Sequence, residues 1–314
     1  MFDALPAPLR WAAKLHCMAE LPSPELSASG LRLLVLVVVL VVGPLLQQSC
    51  AAADDHDSAA DDDDSAADDD DSAADDDDSA GQCEVCPGDY VLSATSDLKA
   101  LVFCSSVSGS LRFEADFVAP AAALTCLASI GEDLTVEGAS QLTSLDLLVT
   151  LRSVGDDLVI EDNDRLEDLD GLLGLESIGG DLRIEDNNAL RSVQGLAQLE
   201  SVGDDMYLWD NDVLADADGL QHLVSVGGGL FVAANDGLLD LDGFSGLLRI
   251  GADLTIRSNQ MLSSVSGFLG VQDFAGALMI TDNQALCQER VAELAAHLGV
   301  TDSAVLFGND GACP

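Results

Sequence analysis

The sequence predicts a mainly β fold, a parallel β-solenoid of about eight 24-residue coils closed by short capping helices. Three observations predict it. First, from Ser129 the chain divides into 24-residue units without an insertion, beginning at Ser129, Ser153, Ser177, Ser201, Ser225, Arg249 and Asp273. A fixed period in this range means one supersecondary unit stacked repeatedly. Second, every unit carries two aliphatics two residues apart, as in Leu158/Ile160, Leu182/Ile184 and Met206/Leu208. Period-two alternation puts these inward and their neighbours outward on a strand. Third, Gly and Asn recur in fixed columns, the residues that permit bends.

Composition limits the partners. The chain has 314 residues, 56 acids and 12 Lys and Arg, for a formal charge of −44. Nucleic acid and anionic headgroups are poor partners for such a surface. Aromatics are 4%, which fits a repetitive aliphatic core rather than a cofactor pocket, and no cofactor is expected.

Residues 1–49 read as a signal peptide. Leu31 to Leu46, "LRLLVLVVVLVVGPLL", follows Arg10 and Lys14 and contains Arg32 near its start, the layout of an export signal. The rival is a membrane helix, but sixteen residues with an internal Gly-Pro fall short of the roughly 20 that a span needs. Met18 is an alternative start, which would remove Cys17. The apolar run ends at "LLQQSC", and Cys50 is similar to the acylated Cys of a bacterial lipoprotein, although Gln47 and Gln48 depart from that pattern. Lipid on Cys50 would anchor the chain without a spanning helix; simple secretion and an uncleaved anchor remain open. Residues 50–82 form the tether. Fifteen Asp lie within residues 51–80, so the segment repels itself and has nothing to bury. Stretched, residues 51–82 could reach on the order of 100 Å.

Residues 83–105 are expected as an N-terminal cap and 106–286 as the solenoid, with a partial unit from Ser106. One short strand per unit, stacked about 4.8 Å apart, gives eight rungs spanning about 34 Å. The glycines Gly155, Gly179 and Gly203, with their equivalents, are expected to supply positive φ at tight bends. The Asn column runs Asn163, Asn187, Asn211, Asn235, Asn259, Asn283. Its motif, "IEDN", has two readings: a calcium loop or a hydrogen-bonded ladder. Ala234 and Ser258 stand where other units carry Asp, yet Asn235 and Asn259 stay. A calcium site cannot lose its carboxylates, whereas an amide ladder can, so the ladder is predicted and no metal.

"CPGDYVLSATSDLKALVFCSSVSGSLRF" followed by "SIGGDLRIEDNNAL" units resembles the receptor L-domain family over roughly residues 83–314. The resemblance implies a right-handed, leucine-rich-repeat-like solenoid, and related units occur in predicted bacterial lipoproteins. It also implies a bridge between Cys86 and Cys104 across the N-terminal cap, read as a helix in Ser93–Cys104 with Ser96 before its apolar period. No kinase or Cys-rich module accompanies the repeat here, so receptor-type ligands do not carry over. Residues 287–314 form the other cap. Val291, Leu294, Ala295 and Leu298 share one face of an amphipathic helix, and the chain then returns, pairing Cys287 with Cys313. A pairing of Cys83 with Cys126 stays open. Cys83 and Cys86 could instead be half a zinc site, but no second CxxC and no nearby His complete it.

No nucleophile–base pattern occurs. The histidines fall before the apolar run (His16), in the tether (His56), in a return segment (His222) and on the C-terminal helix (His297). A carbohydrate-active enzyme would need a carboxylate cleft, for which repeat-derived surface acids are no sign. The chain is therefore expected to be non-catalytic. One anomaly stands out among the outward positions. Tyr207, Trp209 and Phe231 fall on adjacent rungs of one face, beside Arg183, and Trp209 occupies the column of Glu137, Glu161 and Glu185. Exposed aromatics on a sheet are where a partner is sought; a loop or the tether covering them is the rival. The expected function is an exported, lipid-anchored bacterial envelope protein, held by its N-terminal lipid, that recognises a protein or glycan. The alternative is a structural spacer without a specific ligand.

Overall fold

The computed structural model describes residues 83–114, 117 and 124–313. The apolar run, Cys50 and the acidic tether lie outside the described residues. Among the described residues, the strands form two parallel sheets, of nine and ten strands, each ordered as in the chain. The protein is mainly β, with the solenoid-like stacking that the period predicts.

Each unit supplies two strands rather than one. The second is the expected one: Leu182–Glu185 lies between Leu158–Glu161 and Met206–Trp209, with Leu182 opposite Leu158 and Met206. The first is a two-residue strand such as Ser177–Ile178, paired with Ser153–Val154 and Ser201–Val202. Two residues are too few for alternation to register, so the sequence pattern did not reveal this second sheet. Short 3-10 helices such as Asp170–Leu172 and Asp218–Leu220 complete the coil. All three sides send aliphatics inward. Leu158, Ile160, Leu166, Leu172 and Leu175 are fully buried, as are their equivalents in neighbouring units. In the later coils the 3-10 helices place Phe244 and Phe268 in the Leu172 column, with ring centroids 5.1 Å apart.

The glycine columns have a different cause from the one expected. None of Gly155, Gly179 and Gly203 has positive φ. A Cβ on Gly203 would instead strike the carbonyl of Gly179, one rung away, and a Cβ on Gly195 the carbonyl of Leu169. Close backbone approach, not left-handed conformation, requires glycine there. Positive φ falls on the residue before each ladder Asn: Asp162, Asp186, Asp210, Ala234, Ser258 and Asp282, at 54–60°. Gly138 and Gly308 hold φ 65° and 68° at the two ends of that column. Asp tolerates this conformation better than most residues, which explains the D of "IEDN". Alanine does not, so Ala234→Gly should stabilise the protein by about 1 kcal/mol. A denaturant titration showing a loss instead would contradict this reading.

Both caps continue the sheets. Glu84–Cys86 and Tyr90–Leu92 pair with Cys104–Val107 and Leu111–Phe113, and Val305–Phe307 adds the last strand beyond Leu278–Thr281. The helix expected in Ser93–Cys104 is a 3-10 helix, Thr95–Ala100. Ser96 lies inside it rather than ahead of it. The capping acceptor is Asp97, whose carboxylate receives the backbone N–H groups of Ser93 and Ala94 at 2.9 and 2.8 Å. The C-terminal helix, α1 (Gln288–His297), buries Val291, Leu294 and Ala295, and Leu298 packs partly against the core. Disulfides join Cys83–Cys126, Cys86–Cys104 and Cys287–Cys313. No helix among the described residues is long and apolar enough to cross a membrane.

Candidate functional site

The repeated acidic motif divides into an architectural part and a displayed part. Every Asn of the column is fully buried. Asn187 donates from Nδ2 to the carbonyls of Ile160 (2.9 Å) and Glu185 (2.8 Å), and its own N–H reaches Asn211 Oδ1 at 3.2 Å. The contacts to neighbouring rungs repeat from Asn163 to Asn283, the bond two residues back from Asn187 to Asn283, and the ladder ends on Asn309, which donates to Ile280 O at 2.8 Å. Asn309 follows Asn283 by 26 residues rather than 24, which hid it from the period. The amides thus satisfy backbone groups at a buried corner, as burial demands.

A second ladder went unread. Asp157 Oδ1 accepts the N–H of Asp181 at 2.7 Å, Asp181 Oδ1 that of Asp205 at 2.9 Å, and Asp205 Oδ1 that of Gly229 at 2.6 Å. The Asp of "GxDL" therefore ties one rung to the next. In so acidic a chain it gives no contrast by which to notice it. His222 and His297 are also spent on architecture: Nδ1 of the first meets Ala197 O at 2.6 Å and Nε2 of the second Val271 O at 2.9 Å.

The aromatic cluster assembles as predicted on the outward face of the ten-stranded sheet. Arg183, Tyr207 and Phe231 are successive partners across three strands, and Trp209 lies opposite Glu185. Tyr207 and Phe231 stack at 4.8 Å, 8° from parallel. The Arg183 guanidinium sits 4.7 Å from the Tyr207 ring centre and pairs with Asp181 at 2.7 Å. The Tyr207 hydroxyl donates to Asp205 at 2.9 Å. Burial, then this bond, pushes its pKa up to about 12, so the phenol stays protonated and donating. Sequence reasoning missed Arg257, whose guanidinium lies 5.1 Å from the Trp209 ring centre. The two residues belong to strands two rungs apart, with Ala233 buried between those rungs. Trp209 remains 40% exposed. An aromatic ring backed by a guanidinium offers apolar contact and charge at one place.

Stacked acids leave an electrostatic signature. Burial and then the Glu161 charge raise the pKa of Glu185. Asp210 is raised by burial and then by a hydrogen bond with Asp186, and Asp170 and Asp218 by burial and neighbouring Asp. The Asp157 charge raises Asp156. Each of these groups binds its proton more tightly folded than unfolded. Their stabilisation is full below the ordinary carboxylate pKa of about 4 and is lost as pH rises through the raised values. Asp97 opposes them: the N–H groups of Ala94 and Ser93 lower its pKa, so its contribution is lost on acidification below the ordinary value. A melting temperature that rises as the pH is lowered from neutral toward the ordinary carboxylate value of about 4 is expected. A fall over that interval would contradict the assignment.

Among the described residues, two groups bring three candidate metal ligands together: Asp133/Asp156/Asp157 and Cys287/Glu289/Cys313. The sulfurs of the second are joined in a disulfide. In the first, Asp133 Oδ1 also accepts the Asp157 N–H at 3.2 Å; such acid triads follow from stacking acidic positions on successive rungs. No family model, curated protein or solved structure matches the chain.

Proposed function

We propose that the protein is a non-catalytic recognition module, displayed at a bacterial envelope by an N-terminal lipid on Cys50, whose binding surface for a protein or glycan is the outward sheet face around Trp209. The single observation that supports recognition is the aromatic–arginine cluster: Arg183, Tyr207 and Phe231 stack in line, and Trp209 carries Arg257. Trp, Tyr and Arg are the residues that most often dominate binding energy. Export and anchoring rest on the sequence before Asp61 and on the resemblance to receptor L-domain units. The acidic tether would then give the module reach.

The test compares the protein with a variant in which Tyr207, Trp209 and Phe231 are all serine, on a glycan array and in an envelope extract. Loss of a specific partner by the variant alone, with the fold retained, is the expected result. Equal retention by both, or no specific partner for either, favours the spacer. Intact mass after detergent extraction checks the anchor: a diacyl or triacyl increment on Cys50 is expected, and an unmodified N-terminus elsewhere would overturn it.

A further inference from the structure

The outward face of the ten-stranded sheet changes character along its length. Its first repeat strands end their outward column in Glu137, Glu161 and Glu185. In the next five strands the same column holds Trp209, Ala233, Arg257, Thr281 and Phe307. The neighbouring outward column there holds Tyr207, Phe231, Thr255, Met279 and Val305. Roughly one residue in six of this chain is acidic, yet none of these ten outward positions is. The strip stays accessible far beyond the aromatic cluster, with Met279 39%, Val305 40% and Phe307 57% exposed. Large and small residues alternate along it, and Ala233 and Thr281 are buried between Trp209, Arg257 and Phe307.

Charge singles out one occupant. Arg183 is committed to Asp181. Arg257 is stacked on Trp209 and forms no ion pair among the described residues. A guanidinium left without a carboxylate in a chain of charge −44 is suited to one supplied from outside. The strip's composition is that of a protein interface core, enriched in aromatics, Met and Arg and depleted of Asp, Glu and Lys. A saccharide would need several hydrogen-bonding groups, and the Tyr207 hydroxyl is already engaged by Asp205. Five strands span about 19 Å between the outer two, room for the core of an interface of ordinary size.

We infer that this acid-free strip, from Tyr207 to Phe307, docks a protein segment presenting apolar side chains and a carboxylate, with the carboxylate on Arg257. The inference rests on the recognition reading above and narrows it to one partner chemistry. It is also selective, because non-specific association with so acidic a chain favours basic partners.

The test selects random phage-displayed peptides on the full chain and measures the affinity of the recovered peptides for variants. Recovered sequences should combine aromatic or aliphatic residues with Asp or Glu. Arg257→Met and Met279→Asp should each weaken Kd by about tenfold or more, and Thr135→Asp, on the acidic half of the face, by less than about twofold. Melting temperatures are read alongside, with Met279→Ser as the milder variant should Met279→Asp perturb the fold. Basic peptides, no enrichment, or binding indifferent to Arg257 and Met279 would overturn the inference. If binding still fails in the Tyr207/Trp209/Phe231 variant, the recognition reading survives that result; if it is indifferent there too, both fall.

Discussion

Asn211→Ala should be among the most damaging single substitutions in the protein. Asn211 Oδ1 accepts the backbone N–H and the Nδ2 of Asn187 at 3.2 and 3.3 Å, and its Nδ2 donates to Ile184 O at 2.9 Å and Trp209 O at 3.0 Å. All of this happens at a fully buried position. Alanine would leave the Asn187 N–H without a partner and would remove the amide donor from the Ile184 and Trp209 carbonyls. A buried polar group so stranded costs about 1–3 kcal/mol, and each of the two lost amide bonds about 0.5–1.5 kcal/mol, so a loss of about 2–6 kcal/mol is expected. That is a large share of the roughly 5–15 kcal/mol by which folded proteins are stable. Urea unfolding of the variant measures it. A loss below about 1 kcal/mol would mean that the ladder is incidental to stability.

The second large effect separates core from display. Leu182 is fully buried between Leu158 and Met206. Leu182→Ala should cost about 2–5 kcal/mol through lost burial and the cavity left behind. Trp209 ends the next strand and faces outward, 40% exposed. Trp209→Ala should cost far less, about 0.5 kcal/mol plus the modest cation–π contact with Arg257. Paired thermal melts decide it. If Trp209→Ala is the more destabilising, the displayed face has been mistaken for core.

Which parts of this were legible in the sequence follows from contrast. Leu182 and Ile184 were readable as inward and Arg183 as outward because alternation over four residues is unambiguous. The Asn ladder was readable because Asn235 and Asn259 persist where the preceding Asp is gone. The Cys86–Cys104 and Cys287–Cys313 disulfides were anticipated from the family resemblance and the caps, whereas the Cys83–Cys126 pairing was left open. The Asp157–Asp181–Asp205 ladder was not readable, since an Asp column in an acidic chain looks like solvated surface. The glycine columns were recognised and given the wrong cause: sequence alone does not separate positive φ from close backbone approach. At the candidate site, Tyr207, Trp209, Phe231 and Arg183 were found because aromatics are scarce here. Arg257 was missed because its contact with Trp209 skips a rung, and Met279 and Phe307 because their significance lies in the acids absent around them.

The residues of "IEDN" are used to build the coil: the Asn closes the buried corner and the Asp occupies a left-handed backbone position. Thermal melts of the protein with a chelator and with millimolar calcium test it most directly. The expected melting temperatures differ only by the small shift that comes from screening surface acids, reproduced by an equal ionic strength of sodium chloride. A specific site in each motif would stabilise the fold by about 2.7 kcal/mol once calcium reached a hundred times its dissociation constant. A calcium-dependent rise of that size, absent with sodium chloride, would contradict it.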